Sequence, residues 1–143
     1  MHLHLTGQHV AVIGSSNGIG RATALELAAA GAVVAVNTRN WRNEAQAVVA
    51  EIRAAGGEAM ANGASVTDFE AVQAMVQQAV DAWGRVDILV NNAGILRDKS
   101  FAKMELADFK LVMDVHVMGA VHCTKAVWPL MQAQNYGRVV MTT

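Results

Sequence analysis

The amino-acid sequence predicts an α/β protein of the doubly wound type, a parallel sheet with helices on both faces. Short β-branched apolar runs alternate with stretches whose apolar residues recur at helical spacing, in units of roughly 30 residues, the size of a βαβ crossover. A glycine-rich turn, Gly14 to Gly20, separates the first run from the first helical stretch, where such sheets collect anionic ligands. The 143 residues suit one domain, and no linker, repeat or low-complexity tract divides them.

His9-Val10-Ala11-Val12-Ile13 is an apolar run cut off by Gly14 and reads as a buried strand. The helix after it is expected to carry Ile19, Thr23 and Leu27 on one face with Ala24 and Ala28 beside them, and to end at Gly31. Ala32 to Val36 is the second strand. Asn43 to Ala55 places Ala45, Val48, Val49 and Ile52 at helical spacing and stops at Gly56-Gly57. Ala59-Met60-Ala61 is a weaker third strand. Thr67-Asp68-Phe69-Glu70 has the form of a capping box, ahead of a helix with Val72, Met75, Val76 and Ala79 inward and Gly84 at its end. Val86 to Val90 is the fourth strand. Phe109, Val112, His116, Val117, Ala120, Val121 and Thr124 follow helical spacing, so one long helix, about 106–133, is expected, with Pro129 kinking or ending it. Arg138 to Met141 is the fifth strand. Glycine occurs 12 times and proline once, so the turns must be made by glycine.

Composition excludes several functions. Eleven Lys and Arg against 12 Asp and Glu give a net charge of −1, which argues against a basic face for nucleic acid or an anionic membrane. With 53% hydrophobic and 16% charged residues, whole-chain disorder is excluded. No stretch approaches the ~20 apolar residues of a membrane span, and Met1 to Leu5 has no secretory pattern. The one cysteine, Cys123, cannot form an internal disulfide and reads as a small buried hydrophobe, so a cytoplasmic location is expected. His2 and His4 share one face of an extended segment, but without a third ligand no metal site is expected.

Gly14-Ser15-Ser16-Asn17-Gly18-Ile19-Gly20 lies between strand and helix, where unpaired helix N–H groups attract phosphate and glycine lets a ligand approach the backbone. Its spacing is G-x-x-x-G-x-G. The alternative is a tight turn that binds nothing, which the flanking strand and helix disfavour. A site for NAD would place an acidic residue about 20 residues further on, to accept from the ribose hydroxyls. Here stands Asn37-Thr38-Arg39, with no Asp or Glu between Glu26 and Glu44. Arginine suits a 2′-phosphate, which favours NADP over NAD; the alternative for Arg39 is a solvated loop cation. Asn91-Asn92-Ala93-Gly94 follows the fourth strand, again at the carboxyl edge of the sheet.

The G-x-x-x-G-I-G turn and the N-N-A-G loop, in register along the whole chain, are together similar to the short-chain dehydrogenase/reductase family, whose nucleotide-binding fold is Rossmann-like. The resemblance implies hydride transfer between a nicotinamide and a carbonyl or alcohol carbon. It places Gly14, Gly18, Ile19 and Gly20 at the pyrophosphate, within a loop completed by Ser16 and Asn17. Ser15 and Arg39 fall at the adenosine ribose, Ser65 and Val66 at the adenine, and Asn92, Ala93 and Gly94 by the nicotinamide ribose. Ile95 to Phe101, Val115 to Gly119 and Tyr136 to Thr143 resemble two branches. These are the 3-oxoacyl carrier-protein reductases and the (3R)-hydroxyacyl-CoA dehydrogenase domains of multifunctional β-oxidation enzymes, so an acyl thioester substrate is implied. Homo-oligomerisation through the long helix is implied as well.

Four departures from the family pattern stand out. Ile13 replaces a threonine that would tie the first turn to the N-N-A-G loop. Ser65 replaces an aspartate expected at the adenine amino group, leaving Val66 and the backbone. His116 occupies the position of an asparagine that supports the proton relay; taken alone it is a satisfied core or interface histidine, and the β-oxidation branch has histidine there. Lastly, the Ser and Tyr-x-x-x-Lys of the family are missing: the single tyrosine, Tyr136, is followed four residues on by Val140. In the family the serine would come just after Thr143, and two more strands would cover the fifth. The expectation is thus an amino-terminal, cofactor-binding portion of an oxidoreductase, inactive by itself, with an apolar strand edge left uncovered. The rival readings are a non-catalytic nucleotide-binding or regulatory module and an interaction protein.

Overall fold

The computed structural model describes residues 3–39 and 41–143, and of Trp41 and Arg42 only the backbone; His2 lies outside the described residues. Five parallel strands form one sheet: β1 (His9–Ile13), β2 (Val33–Asn37), β3 (Ala59–Asn62), β4 (Ile88–Asn91) and β5 (Arg138–Met141), in the order β3-β2-β1-β4-β5. The register sets Ile13 beside both Asn37 and Asn91, and Asn91 beside Met141, so the carboxyl ends of four strands finish level.

Alternation along the strands builds two cores, because successive side chains point to opposite faces. Val10, Val12, Val34, Val36 and Val90 face α1 (Gly18–Ala29) and α2 (Gln46–Ala54), meeting Ala24, Val48, Val49 and Ile52. Ala11, Ile13, Ala35 and Leu89 face α3 (Phe69–Trp83) and α5 (Gly119–Gln134), meeting Val72, Met75, Ala79, Cys123, Val127 and Met131. Burial on both sides is why these strands read as continuous apolar runs. Among the described residues no helix is long and apolar enough to cross a membrane.

Several elements differ from expectation. Ile19 is 73% exposed, and α1 instead buries Gly20 and Ala24, with Leu25, Leu27 and Ala28 packed at the core margin. A π-helical turn, Trp41–Ala45, precedes α2, whose predicted inward residues are all buried. The cap of α3 is Asp68, accepting from the Ala71 N–H at 3.1 Å, while Thr67 bonds Ser65; a carboxylate next in line outcompetes the hydroxyl. Gly84 closes that helix in the left-handed region at φ 77°.

The long helix shows the largest difference. It is three segments: α4 (Leu106–Met113), a π-helical turn (Asp114–Met118) and α5. Its buried stripe is Gly119, Cys123, Val127 and Met131, while Phe109, Val117 and Val121 from the helically spaced set read in the sequence are about half exposed. Pro129 neither ends the helix nor stands inside the core. It and Lys125, the residue four before it, lie on the exposed side, where water can satisfy the freed carbonyl, and the helix runs on to Asn135 at φ 53°.

Candidate functional site

Leaving β1, the chain moves out to β2 and β3 and then returns to β4 on the other side of β1. The first turn therefore faces a crevice where neighbouring connections diverge. Gly14 holds φ 70°, and a Cβ there would come within 2.8 Å of the Ala93 Cα, so turn and loop meet backbone to backbone. Asn92 Nδ2 donates to the Gly14 carbonyl at 3.0 Å, and the Thr142 hydroxyl donates to the Asn91 carbonyl at 3.1 Å and stands 3.3 Å from Asn92 Oδ1. One hydrogen-bonded chain thus joins the ends of β5, β4 and β1.

Above these strand ends lies a cleft of about 630 Å³, within the range of cofactor pockets. Gly14, Ser16, Asn17, Gly18, Ile19 and Gly20 form its floor. Arg39, Ser65 and Val66 line one end, and Asn92, Ala93 and Gly94 the other. Asn17 is extended and its side chain does not cap α1, so the first N–H groups of that helix stay available. Gly18 has open space where a side chain would be. These features fit a pyrophosphate, which needs free donors and close backbone approach. Ile19 supplies an exposed apolar surface beside them.

Ser15 stands elsewhere. Expected at the adenosine ribose, it is fully buried beneath the turn, donating to the Val12 carbonyl at 2.7 Å and accepting from the Asn37 N–H at 3.0 Å. It joins the ends of β1 and β2. Ser65 does line the cleft, with its hydroxyl 2.9 Å from that of Thr67. Val66, only 8% exposed, lines the cleft beside it. Asn37 Nδ2 donates to the Ala64 carbonyl at 3.1 Å and Asn62 Oδ1 accepts from the Ala64 N–H at 2.7 Å, shaping the loop that carries both residues.

His116 does not line this cleft. It lines an adjoining cavity of about 270 Å³ with Asn91, Ala120, Thr142 and Thr143. Its Nε2 is 2.9 Å from the Ile95 nitrogen and 3.0 Å from the Ile95 oxygen; it accepts from the amide in one tautomer and donates to the carbonyl in the other. A Cβ on Gly94 would reach within 2.7 Å of its Cε1, so the ring seals the back of the N-N-A-G loop. Asn91 Nδ2 donates to Thr124 Oγ1 at 3.1 Å, while its buried Oδ1, at the same cavity, has no partner among the described residues.

A family model for short chain dehydrogenase matches residues 8–143. The chain belongs to the short-chain dehydrogenase family. It is 47% identical over 139 residues to the 3-oxoacyl-[acyl-carrier-protein] reductase of Synechocystis sp., covering 97% of this chain and 56% of that protein. It is 46% identical over 149 residues to the peroxisomal multifunctional enzyme type 2 of Drosophila melanogaster, covering 99% of this chain and 24% of that one. Among solved structures, a 7α-hydroxysteroid dehydrogenase complexed with NADH and 7-oxo glycochenodeoxycholic acid superposes with a TM-score of 0.93 at 35% identity, over 99% of this chain and 55% of the other. The chain spans about half or less of the length of these relatives.

Within that family frame Ile13 brings no hydroxyl, and the connection between turn and loop is made by the Asn92 amide donating to the Gly14 carbonyl, while the Thr142 hydroxyl ties the loop to the end of β5. Tyr136 lies before the amino end of β5, its ring under the Arg138 guanidinium at 4.7 Å, at the opposite edge of the sheet from the cleft. Cys123 is fully buried, and burial pushes its thiol up to about 12, which removes it as a nucleophile. Sequence reasoning missed Glu44, which lines the same cleft as Arg39. Only the π-helical turn after β2 brings it there. Neither Arg39 nor Glu44 forms an ion pair among the described residues.

Proposed function

We propose that this chain is the NADP(H)-binding portion of a short-chain oxidoreductase that interconverts 3-oxoacyl and (3R)-3-hydroxyacyl thioesters. The observation that carries the reading is the cleft over the β1 and β4 ends, with the uncapped start of α1 at its floor and Arg39 at its far end. The dinucleotide would supply hydride chemistry. The chain's own groups would hold its phosphates on the α1 amides, its 2′-phosphate near Arg39, its adenine against Ser65 and Val66, and its nicotinamide ribose by Asn92 to Gly94. The thioester substrate is supported by the names of the two sequence relatives. The cytoplasm is proposed as its location, supported by a lone, buried Cys123.

Titration of intrinsic fluorescence with NADPH and NADH tests the cofactor. Tighter binding of NADPH is expected, and tighter NADH binding would overturn the role given to Arg39. A second reading, nucleotide binding without turnover by these 143 residues, is favoured by Tyr136: no tyrosine lines the cleft to give or take the alcohol proton. Oxidation of a 3-hydroxyacyl-CoA by this chain would refute it. A coding sequence with Ser and then Tyr-x-x-x-Lys after Thr143 would support the enzyme as the whole protein.

A further inference from the structure

The loop Ala64–Val66, which walls one end of the cleft, is held at its start by Asn37 and Asn62 and at its end by α5. His122 Nδ1 lies 2.7 Å from the Val66 carbonyl oxygen. A carbonyl can only accept, so the imidazole must carry its hydrogen on Nδ1. The ring also rests against Phe69, the first residue of α3, with centroids 5.4 Å apart. One turn earlier on α5, Gly119 leaves room for Val66 itself: a Cβ there would lie 2.7 Å from Val66 Cγ2. Val66 is thereby seated on α5 through its side chain and fixed by its carbonyl. His122 does not itself line the cleft, but it is hydrogen-bonded to Val66, which does.

We propose that His122 is a positioning residue for the adenine end of the cleft, fixing the Val66 backbone by donating to its carbonyl from behind. The inference rests on the reading of the cleft as a nucleotide site. It assigns to α5 a hold on the adenine wall, while His116 in the preceding π-helical turn holds the loop at the other end through Ile95. The bond is directional, and a replacement must present an N–H at the Nδ1 position. Asparagine does so; phenylalanine keeps a ring but no donor.

The test is calorimetric titration of the full 143-residue chain and its His122→Asn and His122→Phe variants with adenosine 2′,5′-bisphosphate, which occupies only the adenosine end. The expected result is near wild-type affinity for H122N and at least tenfold weaker binding for H122F. Hydrogen exchange should be faster at the Val66 to Asp68 amides in H122F alone, a readout that general destabilisation would not confine to this loop. Equal affinity of wild type and H122F overturns the proposal, and so does an H122N variant that folds yet binds as weakly as H122F. If H122F does not fold, His122→Asp, which presents only acceptors, takes its place with the same expectations, read at high salt to screen its charge. Wild-type chain that binds neither the bisphosphate nor NADPH overturns the nucleotide reading itself, an outcome separate from the other two.

Discussion

Two opposite charges, Arg39 and Glu44, line the cleft, and under the proposed nucleotide reading their balance is the expected determinant of cofactor preference. Arg39 was legible from sequence because it follows a strand end; Glu44 was not, because it reaches the same wall only through an irregular turn. An arginine favours a 2′-phosphate, whereas a carboxylate repels it and can accept from a ribose hydroxyl. Arg39→Ala is expected to weaken NADPH about tenfold while changing NADH little. Glu44→Gln should shift preference toward NADPH by a factor of a few, less at high salt because the group is exposed. Paired fluorescence titrations at two ionic strengths check both. At Gly14, a positive φ coincides with backbone contact to Ala93, so both conformation and space exclude a side chain. Gly14→Ala should cost about 3 kcal/mol in urea denaturation and open the cleft floor.

Among the elements, β4 is anchored at its entrance by a carboxylate that periodicity did not single out. Asp87 is fully buried at the amino edge of the sheet, accepting from the His9 N–H at 2.9 Å and from Arg85 Nε at 2.8 Å. Burial would raise its pKa. The hydrogen bond from Arg85, the His9 amide and the Arg85 charge together outweigh that and hold it below the usual carboxylate value. Its contribution is therefore present in full above the ordinary value of 3.8 and lost as pH falls through the lowered one. Chemical denaturation should show wild-type stability falling below about pH 4. Asp87→Asn should remove that part of the acid dependence and lower stability at pH 7 by about 3 kcal/mol. The same scale explains which helices could be read. The inward residues of α2 and α3 stand out by their spacing, whereas the long helix carries apolar residues on more than one face, so spacing alone did not show which face is buried.

Across the whole molecule, apolar surface is left outside. Leu106, Phe109, Val117, Val121 and Trp128 on α4, α5 and the turn between them are exposed, and β5 pairs only with β4 while Val140 and Met141 are about half exposed. Single exposed apolar residues are ordinary; this many on one helical face, together with a strand edge, mark surfaces suited to association. The 143-residue chain is expected to self-associate at micromolar concentration, read by light scattering, and a stable monomer would count against oligomerisation through that face. The sequence alone determined the parallel sheet, its strand positions, the glycine turn and N-N-A-G loop as the two sides of one cleft, and the family. Those features are local or periodic, written in side-chain spacing and in glycines that no other residue can replace. Tertiary structure alone decided that Ser15 turns inward, that Glu44 joins Arg39 in lining the cleft, that the Asn92 amide ties the loop to the first turn and Thr142 ties it to β5, and that His122 stands behind Val66. Each depends on residues 22 to 78 positions apart in sequence being brought within hydrogen-bond reach, or on an irregular turn that rotates a side chain out of phase. No periodicity in a single chain records such distances.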